Sequence, residues 1–359
     1  PPNDSLNFFR VLDRAERIGQ FCSKIIAVEC LPQKTIAGGI AMGKHPTFKL
    51  AAIQAAPVFF NVEASTEKAC RLIAEAGREG ASIAAFGETW LPGYPFFVWS
   101  ESRDPLLKWK AAADYLACAV DVPGPVTDRL CRAAEEAGLD VAIGVVERDP
   151  VTRGTVYCTL LFIGREGKIL GKHRKLKPTH RERTIWGEGD AAGLVVYERP
   201  YGRLSGLNCW EHNMVLPGYV LMSQGTQIHI AAWPGAEPKA PASPDPMWSR
   251  QLLLSRAFAS QAAAYVIGVG GMLGADDVPA EYRELTARYP GDSFIIDPRG
   301  EVIAGPVKGE GILTAEGSLE NILAAKSACD VGGHYSRPDI FQLRVNRKPC
   351  RRVVEVPEP

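Results

Sequence analysis

The chain has 359 residues, of which 46% are hydrophobic and 23% are charged, so it is long enough and apolar enough to bury a large core. This composition excludes a disordered protein, a collagen and a small disulfide-stabilised scaffold. The 41 Lys and Arg residues balance 41 Asp and Glu residues. Because a balanced charge provides no long-range field for phosphates, we expect neither nucleic acid nor a membrane as a partner.

Cysteine usage and hydropathy bear on the compartment. The nine cysteines are odd in number and form no C-x-x-C pair, which argues against a zinc knuckle and a redox motif. We expect most of them to be reduced and buried. No stretch reaches the roughly 18 apolar residues of a membrane helix, and the N-terminus lacks the pattern of a signal peptide. The sequence therefore predicts a soluble, cytoplasmic protein.

The first 41 residues differ from the rest. They contain one amphipathic pattern, over 11–21, and nothing chemically suggestive, so we interpret residues 1–41 as a loosely ordered N-terminal extension. We predict one folded domain over 42–345 and a C-terminal tail over 346–359. A basic run in residues 344–352 is interpreted as a solvated face.

From residue 49 onward, strand and helix patterns alternate. Hairpins and crossover helices occur together, which indicates a mixed sheet or two sheets covered by helices. The predicted strands are 49–57, 81–86, 141–147, 155–163, 168–173, 202–208, 227–232, 265–270 and 293–297, and the predicted helices are 63–80, 106–119, 126–137, 214–224 and 247–264.

Three chemically capable residues follow predicted strands, where loops carry function on a rigid scaffold. Glu88 enters a loop that contains two prolines and four aromatic residues. Aromatic surroundings would desolvate its carboxylate and raise its pKa toward a value useful for proton transfer. The alternative is an ordinary carboxylate in a surface loop.

Lys175 and Cys209 are the other two chemically capable residues that follow predicted strands. Lys175 lies in a basic segment that is solvated in most proteins, but a lysine turned inward could stabilise an anion on a substrate. Cys209 stands just before a predicted helix, whose free N–H groups would lower the pKa of its thiol. The alternative for Cys209 is a buried, inert cysteine.

Taken together, these residues lie in blocks that match a known family in order, spacing and flanking residues. The blocks are Phe86-Gly-Glu88-Thr-Trp-Leu-Pro-Gly-Tyr-Pro95, His173-Arg-Lys175-Leu-Lys-Pro-Thr179 and Leu207-Asn-Cys209-Trp-Glu-His212. They resemble the signature blocks of the nitrilase branch of the carbon-nitrogen hydrolase superfamily. Segments 227–234 and 330–339 also resemble that branch, so the likeness covers roughly residues 48 to 345.

The resemblance implies an α/β fold, a four-layer α-β-β-α sandwich. It implies that Cys209 is the nucleophile, Glu88 the general base and Lys175 the residue that stabilises the intermediate, and that Glu182 organises the site. This chain departs from the family pattern at Gly87, at Ser205, which interrupts an apolar strand, and at Gly317-Ser318. None of these departures touches the proposed triad.

The predicted activity is hydrolysis of an organic nitrile to a carboxylic acid and ammonia through a thioimidate and then a thioester on Cys209. Within the superfamily, a cyanide hydratase or dihydratase and an aliphatic amidase remain alternatives. A cysteine hydrolase with His212, His173 or His229 as its base is another, and a catalytically silent scaffold protein is an alternative of a different class.

Substrate contacts, cofactors and assembly complete the expectations. Of the aromatic residues near the triad, which are Trp90, Tyr94, Phe97, Trp186 and Trp210, we select Tyr94 and Trp210 as pocket residues. No metal and no organic cofactor is expected, because side chains supply the nucleophile, the base and the electrophilic helper. The partners expected are a small-molecule nitrile and water. The resemblance also implies a homodimer or a larger spiral homo-oligomer.

Overall fold

The structure is a computed structural model that describes residues 45–235, 249–274, 276–285, 289–307, 309–350 and 353. The amphipathic pattern over 11–21 lies outside the described residues, so the predicted extension and the domain boundary at residue 42 remain predictions. The described strands are β1 (Thr47–Gln54), β2 (Ile83–Ala85), β3 (Asp140–Arg148), β4 (Val156–Gly164), β5 (Lys168–Arg174), β6 (Tyr197–Arg199), β7 (Gly202–Asn208), β8 (Ile228–Trp233), β9 (Tyr265–Gly270), β10 (Met272–Leu273), β11 (Tyr289–Pro290), β12 (Phe294–Ile296), β13 (Val302–Ala304) and β14 (Gly311–Ser318). The described α-helices are α1 (Val62–Arg78), α2 (Pro105–Ala117), α3 (Pro125–Ala137), α4 (Val215–Ser223), α5 (Arg250–Ala262) and α6 (Leu319–Ala328).

The larger strands form two six-stranded sheets. Their orders are β14-β1-β2-β3-β4-β5 and β13-β12-β9-β8-β7-β6, and β10 pairs with β11 as a small separate ribbon. Both sheets are mixed: β1, β2 and β3 run parallel in the first and β7, β8 and β9 run parallel in the second, while the outer pairs are antiparallel. The sequence left open one mixed sheet or two sheets, and the structure has two.

Strand β1 shows how the layers form. Its side chains alternate between the two faces of the sheet, as in any strand. Leu50 and Ala52 pack against Ile230 of the second sheet, whereas Ala51 and Ile53 face helices α1 and α3. Helices α4 and α5 cover the outer face of the second sheet. The order of layers is helix, sheet, sheet, helix, which confirms the predicted α-β-β-α sandwich.

Local sequence signals explain the helix ends. Asn61 accepts a hydrogen bond from the Ala64 N–H at the start of α1, and Asp104 caps α2 just before Pro105. Helix α3 ends at Gly138, whose φ of 66° is a left-handed conformation that glycine adopts without strain. The predicted helices therefore agree with the observed ones to within a few residues. No helix in the described part of the chain is long and apolar enough to cross a membrane.

Several elements near the C-terminus were not predicted, and β14 and α6 are the largest of them. Strand β14 pairs antiparallel with β1, from Thr47 opposite Ser318 to Gln54 opposite Gly311. Its glycines and polar residues give no strand pattern, and its partner lies more than two hundred residues away. A Cβ on Gly317 would come within 2.3 Å of the Phe48 ring. Gly317, one of the departures from the family pattern, therefore leaves the space that the Phe48 ring occupies.

Strand ends and a close backbone approach position the loops of the site. The loop after β2 lies directly against β3, because Gly144 has no side chain to separate them. A Cβ at Gly144 would stand 2.3 Å from the Gly87 oxygen and 2.3 Å from the Thr89 nitrogen. The Glu88 backbone N–H also donates to the Trp233 carbonyl at 3.1 Å, which ties the loop to the second sheet. Both sheets therefore hold Glu88 in place.

Candidate active site

Four side chains from three loops meet at one edge of the sandwich. The Lys175 Nζ lies 2.8 Å from Glu88 Oε1 and 2.7 Å from Glu182 Oε2. One oxygen of each carboxylate and the Cys209 Sγ all lie within 4.8 Å of one another. All four side chains are buried. The structure thus brings together Glu88, Lys175 and Cys209, the three residues from the signature blocks, and also Glu182.

The Glu88 carboxylate has two unequal oxygens. Oε1 accepts hydrogen bonds from Lys175 and, at 3.4 Å, from the Cys158 thiol. Oε2 is buried and has no hydrogen-bond partner among the residues that the structure describes. Burial raises the pKa of Glu88 to about 7, although the Lys175 charge opposes this rise. The expectation of a desolvated carboxyl with a raised pKa is confirmed, and the bare oxygen is free to take a proton.

Lys175 is buried rather than solvated, with 1% of its surface exposed. Its backbone N–H donates to the Cys158 carbonyl at 2.8 Å, and its ammonium stands 5.4 Å from the centre of the Trp186 ring. Burial lowers the pKa of Lys175, but its electrostatic interactions with Cys209, Glu88 and Glu182 outweigh burial and hold the pKa well above its ordinary value. The side chain therefore stays a fixed positive charge.

Cys209 begins a short 3-10 helix, Cys209–Asn213, directly after β7. Its φ of 50° lies in the left-handed region, which a residue with a side chain rarely adopts. The prediction of a lowered thiol pKa is wrong: burial raises the pKa of Cys209 well above its ordinary value, against the lowering by Lys175. One turn of helix cannot offset the loss of hydration in this site. The thiol therefore keeps its proton at rest and needs a base.

Glu182 is held by three donors. The Lys175 ammonium and the Thr179 backbone N–H, at 2.6 Å, both donate to its Oε2. The Tyr94 hydroxyl donates to its Oε1. Trp99 in turn donates to the Tyr94 oxygen at 3.2 Å. These contacts restrict Glu182 to a geometry in which its Oε2 binds the same ammonium as Glu88 Oε1.

Glu211 is a structural residue of the site that the sequence reasoning missed. Its carboxylate lies 3.0 to 3.1 Å from His173 Nε2 and accepts N–H bonds from Asn208 and Leu176, each at 2.8 Å. Burial would raise the pKa of Glu211, but His173 and the two backbone donors hold it below its ordinary value. Glu211 therefore ties the loop of Lys175 to the loop of Cys209. The available signal was an acidic residue two positions after the cysteine of the third block.

The three histidines considered as alternative bases bond to groups other than the thiol. His173 binds Glu211, as described above. His212 Nδ1 lies 2.7 Å from the Cys209 carbonyl oxygen, and its Nε2 lies 3.0 Å from His229 Nε2. The carboxylate oxygens of Glu88 and Glu182 lie within 4.8 Å of the thiol sulfur. The geometry thus favours a carboxylate over an imidazole as the base.

A cavity of about 340 Å³ opens beside Cys209 and Glu182. Tyr94 and Trp210, the two selected pocket residues, both line it, and so do Glu182 and Cys209. The other aromatic candidates, Trp90, Phe97 and Trp186, pack in the hydrophobic core. The lining residues that were not predicted are Trp99, Thr179, His180, Trp233, Pro234, Gly235 and Tyr289. Trp233 had a usable signal, since it ends β8 beside the strand that precedes Cys209.

The acidic groups and the thiol could in principle bind a metal ion, since Glu88, Glu182 and Cys209 have ligand atoms within 4.8 Å of one another. The Lys175 ammonium already binds both carboxylates, at 2.8 Å and 2.7 Å. A lysine cation thus occupies the position that a metal would need. The donor set suits proton transfer and not metal binding.

Comparisons with known proteins agree with this geometry. The family model described as "Carbon-nitrogen hydrolase" matches residues 49–327. "Nitrilase 2" from an unknown prokaryotic organism is 54% identical over 87% of this chain and 97% of its own length. "Aliphatic nitrilase" of Rhodococcus rhodochrous is 38% identical over 84% of this chain and 83% of its own length.

Solved structures show the same fold at low identity. Saccharomyces cerevisiae Nit3, described as a member of branch 10 of the nitrilase superfamily, has a TM-score of 0.62 and 19% identity, with 80% of this chain and 96% of that chain covered. An amidase from Nesterenkonia sp. has a TM-score of 0.58 and 15% identity, with 81% of this chain and 97% of that chain covered. The chain belongs to the nitrilase branch of the carbon-nitrogen hydrolase superfamily and is a hydrolase that acts on carbon-nitrogen bonds other than peptide bonds.

Proposed function

We propose that the protein hydrolyses an organic nitrile to a carboxylic acid and ammonia, with Cys209 as the nucleophile. One observation carries the proposal: a lysine ammonium bound to two buried carboxylates lies beside a buried thiol at a mostly apolar cavity. Relatives named as nitrilases, at 54% and 38% identity, support a nitrile as the substrate.

The first step joins the sulfur to the nitrile carbon. Because the thiol is protonated at rest, Glu88 Oε2 takes its proton as the S–C bond forms. The C≡N bond becomes C=N, and its nitrogen takes the proton from Glu88 to give a neutral thioimidate. Lys175 stabilises the negative charge that develops on nitrogen before that proton arrives.

Two water molecules complete the reaction. The first adds its oxygen to the thioimidate carbon while Glu88 takes one of its protons and passes it to the nitrogen, which forms a tetrahedral intermediate bearing OH and NH₂. Glu88 then takes the hydroxyl proton and delivers it to the nitrogen, so that the C–N bond breaks, ammonia leaves and a thioester remains on Cys209. The second water hydrolyses the thioester to the acid and restores the thiol. If the tetrahedral intermediate expels sulfur instead, the product is an amide.

Glu182, Tyr94 and Trp210 have supporting roles in this proposal. Glu182 shares Lys175 with Glu88, so it fixes the ammonium at one point beside the reacting carbon. Tyr94 holds Glu182 through its hydroxyl and presents its ring to the cavity. Trp210 follows the nucleophile directly and contributes an aromatic wall. No cofactor has a step in this scheme.

The test is ammonia release by the purified chain from a panel of nitriles, cyanide and amides. We expect nitriles to be hydrolysed and Cys209→Ala to reduce turnover to background without changing the circular dichroism spectrum. Cys329→Ala, at a partly exposed thiol at the end of α6, is the matched control and should keep full activity. Wild-type turnover by Cys209→Ala would end the proposal.

The same panel separates the alternatives. Hydrolysis of amides without nitriles would indicate an amidase, and turnover of cyanide alone would indicate a cyanide hydratase or dihydratase. A chain that binds iodoacetamide at Cys209 but converts no substrate would indicate a silent scaffold. The homodimer or larger spiral assembly and the cytoplasmic location belong to this proposal as well, and sizing chromatography tests the assembly.

A further inference from the structure

A row of hydrogen-bonded polar side chains lies beneath the loop of Cys209, and no step of the proposed reaction uses these side chains. Ser205 and His229 are register partners on the neighbouring parallel strands β7 and β8. The Ser205 Oγ lies 2.8 Å from His229 Nδ1 and 2.7 Å from Thr226 Oγ1. All three side chains are 0% exposed. Polar groups this deeply buried are costly unless each finds a partner.

The hydrogen bonds continue from His229 through His212 to the backbone of Cys209. His229 Nε2 lies 3.0 Å from His212 Nε2, and His212 Nδ1 lies 2.7 Å from the carbonyl oxygen of Cys209. Stacking fixes both rings: His229 lies 3.8 Å from the Phe258 ring centre, and His212 lies 5.0 Å from that of Trp233. A buried threonine is thus connected to the backbone of Cys209 through three side chains.

The donor and acceptor capacities of these groups determine the position of each proton in the hydrogen bonds from Thr226 to Cys209. A carbonyl oxygen can only accept, so His212 Nδ1 carries a proton. In a neutral imidazole the other nitrogen accepts, so His229 Nε2 must donate to His212 Nε2. His229 Nδ1 then accepts from the Ser205 hydroxyl, which in turn accepts from Thr226. The two histidines therefore hold opposite tautomers, and all the bonds point toward Cys209.

Neutral rings are consistent with their surroundings. Burial lowers the pKa of His212 to about 4, although its bond to the Cys209 carbonyl opposes this. Burial, and then His212 and His173, lower the pKa of His229 well below its ordinary value. Both imidazoles are consequently uncharged near neutral pH, as the proton assignment requires.

We propose that Ser205, His229 and His212 are positioning residues that hold Cys209 in its left-handed backbone conformation with the thiol toward Glu88. A non-glycine residue at a φ of 50° needs external restraint to persist. The bond from His212 restrains the Cys209 carbonyl, whose direction depends on this strained backbone conformation. Ser205, a departure from the family pattern, thereby orients His229. The inference rests on the proposed function only in naming Cys209 as the nucleophile.

Neutron diffraction from a crystal of the full chain, exchanged into D₂O, tests the proton assignment directly. We expect deuterons on His212 Nδ1, on His229 Nε2 and on the Ser205 oxygen pointing at His229. A deuteron on His212 Nε2, or on both nitrogens of either ring, would overturn the inference. This measurement needs no substrate, so its outcome is independent of whether nitriles are turned over.

Kinetics test the positioning role. We expect Ser205→Ala to lower kcat about tenfold and to change KM less than about twofold, because a displaced nucleophile slows chemistry more than binding. Ser205→Cys keeps a weak donor of similar size and should recover part of the loss. Ser65→Ala is the matched control, since Ser65 is 0% exposed in α1 and, within the described residues, its hydroxyl bonds only to the Val58 backbone. An unchanged kcat for Ser205→Ala would contradict the role, as would equal losses in Ser205→Ala and Ser65→Ala.

Discussion

Ionisation of Glu88 opposes folding, and Glu88→Gln should remove that opposition. Burial raises the pKa of Glu88 from 4.5 to about 7. At ~1.4 kcal/mol per pH unit, the folded state with an ionised Glu88 is about 3 kcal/mol less stable than with the neutral carboxyl. Because the folded pKa lies above the unfolded one, this stability is fully present below pH ~4.5 and is lost as the pH rises through about 7.

The assay compares the free energy of unfolding of Glu88→Gln and the wild type, by urea denaturation at about pH 5 and about pH 8.5. Glutamine has no proton to lose, so the variant escapes the fall in stability. We expect the difference to move in favour of the variant by about 2 to 3 kcal/mol between the two pH values. The same ionisation should give kcat/KM an acid limb near pH ~7, since the proton acceptor must be unprotonated.

Glu147 provides a control with the opposite sign. It is also a buried glutamate, but Arg174 and Lys172 outweigh the effect of burial and hold its pKa below the ordinary value. Glu147→Gln should therefore destabilise the protein above pH ~4.5, by an amount that shrinks as the pH falls through the folded pKa. The reasoning is refuted if the difference between Glu88→Gln and the wild type does not change with pH, or if Glu147→Gln gains stability at high pH.

Two further variants test the ion pairs of the site. Lys175→Met leaves the carboxylates of Glu88 and Glu182 without their shared counter-charge, so we expect the free energy of unfolding near neutral pH to fall by about 3 to 5 kcal/mol, measured by urea denaturation. Lys177→Met, which removes an exposed ion pair with Glu188, is the control and should change stability little, and wild-type stability of Lys175→Met would contradict the reasoning. Tyr94→Phe removes a hydroxyl donor to Glu182, so we expect a loss of about 1.5 to 3 kcal/mol by the same measurement, and no loss would show that this bond contributes nothing.

Much of the fold could be predicted from local patterns. Strands β3 and β4 are continuous apolar runs bounded by turn residues, and caps such as Asn61 and Gly138 mark helix ends within a few residues. Strand β14 could not be found in this way. Its residues become a strand because β1 offers it an edge, and that pairing depends on contacts across the whole chain.

The residue types of the candidate site were also readable in order along the chain. Cys209, Lys175 and Glu88 each follow a strand, but β2 and β5 are not neighbours in the first sheet and β7 belongs to the second, so only the packing of the two sheets brings the three residues together. Glu211 was overlooked because its role exists only through His173, which lies on another strand. Both selected pocket residues, Tyr94 and Trp210, line the cavity, but Trp233 was missed because its place there depends on the packing of β8 beside β7.

Which atoms can react, and on which strand ends they stand, follows from the order of amino acids alone, because strand patterns and loop residues are local. Whether those atoms carry a proton does not follow from the order of amino acids alone. The helix after Cys209 suggested a lowered thiol pKa, yet the folded chain raises it, because burial removes most of the water around the sulfur. Hydration and charge at one atom depend on residues from many distant segments, so the acid-base state of this site is a property of the tertiary structure.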